Sequence, residues 1–137
     1  MDEKLKRYQG IFPAFYACYD DTGRVSTSRT KSLAKYLLAK GVTGLYVGGS
    51  SGECIYQSVE ERKAILEAVM DAVGGKLVVI AHVACNNTAD SCELARHAES
   101  LGVDAIAANL FPSAAVCHRG LLEYDLCGCA KHGFYHL

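Results

Sequence analysis

The chain lacks any apolar run approaching the ~20 residues of a membrane span, and Met1-Asp2-Glu3-Lys4-Leu5-Lys6-Arg7 leads into no signal-peptide core. The sequence therefore predicts a cytoplasmic protein with no membrane partner. Fourteen basic residues against fifteen acidic ones leave a formal net charge of −1, without the basic excess that a nucleic-acid partner demands. No Gly-Lys-Ser/Thr is present to cradle a nucleotide, and Gly48, Gly49 and Gly52 do not fall into G-x-G-x-x-G. A disulfide framework is also missing: the seven cysteines are odd in number and scattered, so reduced thiols are expected. Cys18, Cys54 and Cys85 fall near predicted strand exits without an assignable base, where a free cysteine behaves as a small hydrophobe.

Against these absences stands one informative segment, Gly44-Leu45-Tyr46-Val47-Gly48-Gly49-Ser50-Ser51-Gly52-Glu53. Leu45, Tyr46 and Val47 are strand formers, Gly48 and Gly49 let backbone N–H groups turn inward without a Cβ in the way, and Ser50 and Ser51 add two hydroxyl donors. The combination predicts an anion seat at a strand end, formed by Gly49, Ser50 and Ser51. The alternative is a tight strand-to-helix turn for which the glycines serve geometry alone.

The rest of the pattern alternates strands with helices. Residues 11–18 read as a first strand, followed by the turn cluster Asp20-Asp21-Thr22-Gly23. Ser26, Thr27 and Ser28 offer N-caps for a helix over 29–40 that Gly41 ends. A second strand covers 44–47. Ser58-Val59-Glu60-Glu61 is a capping box, and Ile65, Leu66, Val69, Met70 and Val73 continue it as one apolar stripe ending at Gly74-Gly75. Residues 77–83 read as a buried third strand, Asn87 or Thr88 caps the next helix, and a fourth strand falls over 104–108. The order βαβαβαβ, with glycines repeating about every thirty residues, implies parallel strands. A doubly wound sheet and an eight-stranded barrel both fit. In either, sites gather at the carboxyl ends of strands, where Ser50, Ser51, His82, Cys85 and Asn109 would lie. His82, inside an apolar strand, is read as a histidine hydrogen-bonded within the core rather than as a catalytic group.

Beyond residue 108 the rhythm fails, which divides the chain into a folded unit over 1–108 and a divergent tail over 109–137, for which truncation or a frameshift, alternative splicing and a genuine short terminus all stay open. Cys127, Cys129, His132 and His136, with Cys117 and His118 nearby, are ligand types for zinc, but their spacing is not that of a zinc module, and neither metal nor cofactor is expected.

Several stretches together resemble the N-acetylneuraminate lyase branch of the lyase and dihydrodipicolinate synthase superfamily, over about residues 8–108. They are Phe12-Pro13-Ala14-Phe15 with Asp20-Asp21-Thr22-Gly23, the segment from Gly41 to Glu53, Ser58-Val59-Glu60-Glu61-Arg62, and Ile80-Ala81-His82-Val83. The serine pair in Gly-Gly-Ser-Ser-Gly-Glu and the preceding Leu-Tyr-Val lean toward the sialic acid lyases, with a dihydrodipicolinate synthase-like member as the alternative. The resemblance implies the N-terminal half of a (β/α)8 TIM barrel and a class I aldolase. Such an enzyme cleaves sialic acid to N-acetylmannosamine and pyruvate through a Schiff base, and family members form homo-oligomers. It further implies that Ser51 and neighbouring N–H groups hold the carboxylate of pyruvate or another α-keto acid. Ser50 takes the proton-relay position, and Glu53 fixes the loop.

The family's Schiff-base lysine and relay tyrosine come from later strands, and no lysine here reads as ending a strand: Lys31, Lys35, Lys40 and Lys63 fall on helices, Lys76 enters a strand from the opposite end, and Lys131 lies in the tail. The chain is thus expected to be an inactive fragment that keeps the pyruvate-carboxylate loop. The competing class is a non-catalytic half-barrel that self-associates through its open edges.

Overall fold

The computed structural model describes residues 6–108, so the expectations for the tail, Asn109 and the zinc candidates lie outside the described residues. Three helices and three strands alternate: α1 (Thr27–Ala39), β1 (Gly44–Val47), α2 (Val59–Val73), β2 (Val78–His82), α3 (Thr88–Ser100) and β3 (Ala105–Ala107). Two 3-10 turns, Ser50–Gly52 and Cys54–Tyr56, lie between β1 and α2. The strands are parallel in the order β1-β2-β3, as the βα alternation requires.

Each helix starts where its cap dictates. The Ser26 hydroxyl accepts from Arg29 N–H and the Asn87 side chain from Asp90 N–H. At α2 the box closes in both directions, Glu61 N–H donating to Ser58 Oγ at 3.2 Å and Ser58 N–H to Glu61 Oε2 at 2.8 Å. The cap fixes the phase of the helix, so Arg62, Ile65, Leu66, Val69 and Val73 all turn inward. They pack on the strand residues that alternate toward the helices, Leu45 and Val47 from β1 and Val79 and Ala81 from β2. Surface pairs brace neighbouring helices: Lys31 with Asp71 between α1 and α2, Lys63 with Glu93 and His97 with Glu67 between α2 and α3. Pairs this exposed contribute little to stability.

The first predicted strand is corrected. Residues 11–15 do run parallel to β1, with Thr43 N–H donating to Ile11 O, Tyr46 N–H to Pro13 O and Phe15 N–H to Tyr46 O, yet only the Ala14–Tyr46 bridge forms and no strand develops. Pro13 has no N–H to give to a ladder. Past Phe15 the chain leaves the sheet for an antiparallel bridge between Tyr19 and Val25. Its turn is organised by Asp20, whose carboxylate accepts from the Thr22 hydroxyl and the N–H groups of Thr22 and Arg24. These bonds, the Thr22 hydroxyl first, hold the Asp20 pKa down to about 2.

The register sets Ala14, Tyr46, Ile80 and Ala105 side by side on the sheet face away from the helices, with His82 beside Ala107 one layer on. Tyr46, Ile80 and His82 are half-buried there. The close approach of the 11–15 segment depends on Gly44, where a Cβ would lie 2.2 Å from a Phe12 ring carbon and 2.3 Å from the Val78 carbonyl oxygen. Gly44→Ala is therefore expected to destabilise the fold by about 1–3 kcal/mol, because the backbone carbonyl cannot yield as a flexible side chain would. A lowered urea midpoint checks this, and an unchanged one would mean that the segment 11–15 is not held against β1.

Candidate functional site

The loop leaving β1 turns on two non-equivalent glycines. Gly48 takes φ of +78°, in the left-handed region that glycine reaches without strain. Gly49 has an ordinary φ of −78°, but a Cβ there would stand 2.7 Å from the Tyr46 ring. Ser50–Gly52 then forms one 3-10 turn, closed by Gly52 N–H to Gly49 O and Glu53 N–H to Ser50 O. Glu53 is the non-glycine residue in the left-handed region, with φ 62° and ψ 27°, and joins this turn to the next. Gln57 Nε2 donates to Gly52 O at 2.9 Å and to Tyr19 Oη at 3.2 Å, fastening the loop from behind.

This folding leaves a set of donors unused. Among the described residues, the N–H groups of Gly49, Ser50 and Ser51 and both serine hydroxyls meet no acceptor, and both serines are exposed. Three consecutive residues thus offer five donors, the groups that an anion accepts from. The structure thus brings Gly49, Ser50 and Ser51 together at the carboxyl end of β1.

One residue that the sequence reading passed over dominates the ground beneath this loop. Arg62, on the first turn of α2, is only 7% exposed. Its Nη2 donates to His82 O at 2.8 Å and, over a longer 3.4 Å, to Gly48 O; its Nη1 donates to Ala84 O at 2.9 Å and lies 3.0 Å from Cys85 Sγ. The guanidinium thus ties the end of β1 to the end of β2. His82 reinforces the tie through Nδ1, 2.9 Å from Gly48 O; a carbonyl only accepts, so Nδ1 carries the hydrogen. His82 is accordingly a hydrogen-bonded wall residue, with its ring centroid 6.1 Å from that of Tyr46. The available sequence signal for Arg62 was its place three and four residues before Ile65 and Leu66, a charge at the head of an apolar stripe.

The other candidates separate from the loop. Cys18, Cys54 and Cys85 are free and half-buried, and burial raises the Cys18 and Cys85 thiols above their ordinary value. Cys92 is buried on α3. Lys31 and Lys35 lie on α1, Lys40 caps it, Lys63 lies on α2, and Lys76 precedes β2. Among the described residues no lysine stands at the carboxyl end of a strand, no helix is long and apolar enough to cross a membrane, and no group of three or more His, Cys, Asp or Glu is placed to hold a metal.

His82 gives this site a pH signature. Burial above all lowers its pKa from the ordinary 6.5; the Gly48 carbonyl opposes that shift and the Arg62 charge adds to it. Because the folded value lies below the unfolded one, the unfolded state binds the proton more readily, and stability is complete above the unfolded pKa and lost as pH falls below it. Urea midpoints should thus rise from about pH 5 to about pH 7, and His82→Gln should remove that part of the slope. An identical slope in the variant would place the titrating group elsewhere.

A profile of the Dihydrodipicolinate synthetase family matches residues 7–111. Over 104 residues the chain is 67% identical to an N-acetylneuraminate lyase of Mediterraneibacter gnavus, covering 76% of this chain and 33% of that protein. A Ruminococcus gnavus sialic acid aldolase bearing a catalytic lysine mutation superposes with a TM-score of 0.86 at 54% identity, over 95% of this chain and 44% of that one. YagE, an E. coli K12 prophage protein of the dihydrodipicolinic acid synthase family solved with pyruvate, gives a TM-score of 0.80 at 27% identity over 91% and 43% of the two chains. The chain spans about a third of the length of the curated relatives it matches. The structural neighbours are TIM-barrel aldolases, and the parallel sheet alternating with helices corresponds to part of such a barrel. On the profile match over residues 7–111 and on the fold, this chain belongs to the dihydrodipicolinate synthetase family.

Proposed function

We propose that this chain carries the pyruvate-carboxylate seat of an aldolase of the N-acetylneuraminate lyase branch, and that as a 137-residue chain it performs no aldol turnover. The observation that carries the reading is the cluster of five unpaired donors on Gly49, Ser50 and Ser51 at the end of β1. In this reading Ser51 and the adjacent N–H groups hold the carboxylate, and Ser50 takes the position from which the family passes a proton to a tyrosine of a later strand, a tyrosine this chain does not supply. The branch assignment is supported by 67% identity to a sialic acid lyase, against 26% to a dihydrodipicolinate synthase of known structure. The whole reaction, cleavage of sialic acid to N-acetylmannosamine and pyruvate, requires a neutral amine in a dry pocket. The described lysines do not offer one: Lys63 and Lys31 are paired with carboxylates on helix surfaces, and the Lys63 pKa is raised by Glu93 and Glu60. A cytoplasmic location is part of the same proposal.

The test combines trapping and binding. Borohydride treatment with pyruvate should leave no pyruvyl-lysine adduct by mass spectrometry, whereas pyruvate should shift the amide resonances of Ser50 and Ser51, and the double variant Ser50→Ala, Ser51→Ala should abolish those shifts. A single stable adduct with cleavage activity would overturn the inactivity; shifts unchanged in the double variant would remove the seat.

A second reading, a barrel-wall segment that pairs with another copy, is favoured by the half-burial of Tyr46, Ile80 and His82 on the sheet face away from the helices. Light scattering over a concentration series should then show a dimer, and a monomer throughout would exclude it.

A further inference from the structure

We propose that Arg62 is the positioning residue and the positive charge of the Gly49–Ser51 seat: its buried guanidinium holds the Gly48 carbonyl beneath the loop and supplies the field that a bound carboxylate neutralises. The proposal rests on the reading of that seat as the pyruvate-carboxylate site.

Two features complement each other. Among the described residues the seat has donors without acceptors, and immediately beneath it Arg62 has a charge without a counter-charge. The hydrogen-bond acceptors of Arg62 are the carbonyls of Gly48, His82 and Ala84 and the sulfur of Cys85. Burial raises the Cys85 thiol above its ordinary value, which makes that sulfur a neutral partner near pH 7. Among the described residues no carboxylate pairs with Arg62: Glu61 is engaged at the Ser58 N–H and Asp90 at the Asn87 side chain. Its Nε, also buried, meets no acceptor among the described residues.

A full charge buried among neutral groups is costly to maintain, and a purely mechanical tie between two strand ends could be made by a neutral donor. The position of the charge suggests why it is a charge. A Cβ on Gly48 would lie 3.8 Å from Arg62 Nη2, so the guanidinium rests against the residue directly before the first unpaired N–H. The Gly48 carbonyl, whose negative end would otherwise repel an incoming anion, already accepts from His82 Nδ1 and from Arg62. Among the described residues, an anion bound by the N–H groups of Gly49, Ser50 and Ser51 would be the first negative charge to face that guanidinium, which is itself withdrawn from water.

The experiment is NMR titration of the full chain with pyruvate and with its neutral ester, methyl pyruvate, for the unsubstituted protein, Arg62→Lys and Arg62→Gln. In the unsubstituted chain pyruvate should shift the Ser50 and Ser51 amides together with the Arg62 Nε–H resonance, and the ester should leave Nε–H unmoved. Arg62→Gln should lose about tenfold more affinity for pyruvate than for the ester, the scale of one charge pair, any loss common to both ligands reporting the positioning role. Arg62→Lys, which keeps the charge, should retain the preference for pyruvate over ester. Equal weakening of both ligands in both variants would reduce Arg62 to a scaffold residue and overturn the proposal. Should Arg62→Gln not fold, the Nε–H response and Arg62→Lys decide. Shifts at Ser50 and Ser51 with Nε–H unmoved would defeat the role of Arg62 while leaving the seat intact; no shift at either serine would defeat the seat and the role with it.

Discussion

Burial of the Arg62 guanidinium at the head of an apolar helix stripe is the constraint on which the loop after β1 depends. Removing such a charge from water costs several kcal/mol, and only good hydrogen bonds offset it. The acceptors it uses, the carbonyls of Gly48, His82 and Ala84, are available because β1 ends at Val47 and β2 at His82, where the ladder stops consuming them. Helix and strand ends therefore require one another. Without the carbonyls the charge could not be buried, and without the charge the carbonyls of His82 and Ala84 would lose this donor, each at roughly 1–3 kcal/mol, while Gly48 would keep only the His82 Nδ1 bond. The capping box at Ser58 and Glu61 belongs to the same device: shifting the start of α2 by one residue would rotate Arg62 about 100° off the inward face.

The loop above is held from several sides without help from a ligand. Tyr46 packs so close to Gly49, and the Phe15 carbonyl so close to Gly52, that a Cβ at either would lie 2.7 Å from its neighbour. Gln57 pins the Gly52 carbonyl, and Glu53 accepts a left-handed conformation that few side chains favour. Donors fixed in this way bear most of their ordering cost on folding, and little of it would fall on binding.

What the sequence disclosed follows how local each determinant is. The stripe of Ile65, Leu66, Val69 and Val73 and the Ser58–Glu61 box are periodic and contiguous, and they located α2 from its cap to its end at Val73. Strand β1 was equally legible, bounded by glycines on both sides. The 11–18 segment misled because its apolar and aromatic character is real but serves packing: Phe15 is fully buried in the core while Pro13 breaks the ladder. Ser50 and Ser51 were visible as donors, because small polar residues after a strand have few other uses. Arg62 was not visible as a structural key, since its partners are backbone carbonyls at positions 48, 82 and 84, and a carbonyl has no letter in a sequence.

The chemistry of an aldolase divides along the same line. Holding a carboxylate needs a few donors on neighbouring residues, and one strand end with its following turn provides them. Forming a Schiff base needs an amine that is neutral and screened from water, a property of an enclosed pocket and not of a local motif. The helical lysines are arranged for the opposite: Lys63 is held as a cation by Glu93 and Glu60, and Lys31 pairs with Asp71, each pairing joining neighbouring helices at the surface. Recruiting one of them would cost its ion pairs and still leave it on the wrong side of the sheet from Tyr46 and His82. The lysines of residues 6–108 offer no nucleophile for covalent chemistry, whereas the unpaired donors of Gly49, Ser50 and Ser51 all lie within one βα unit.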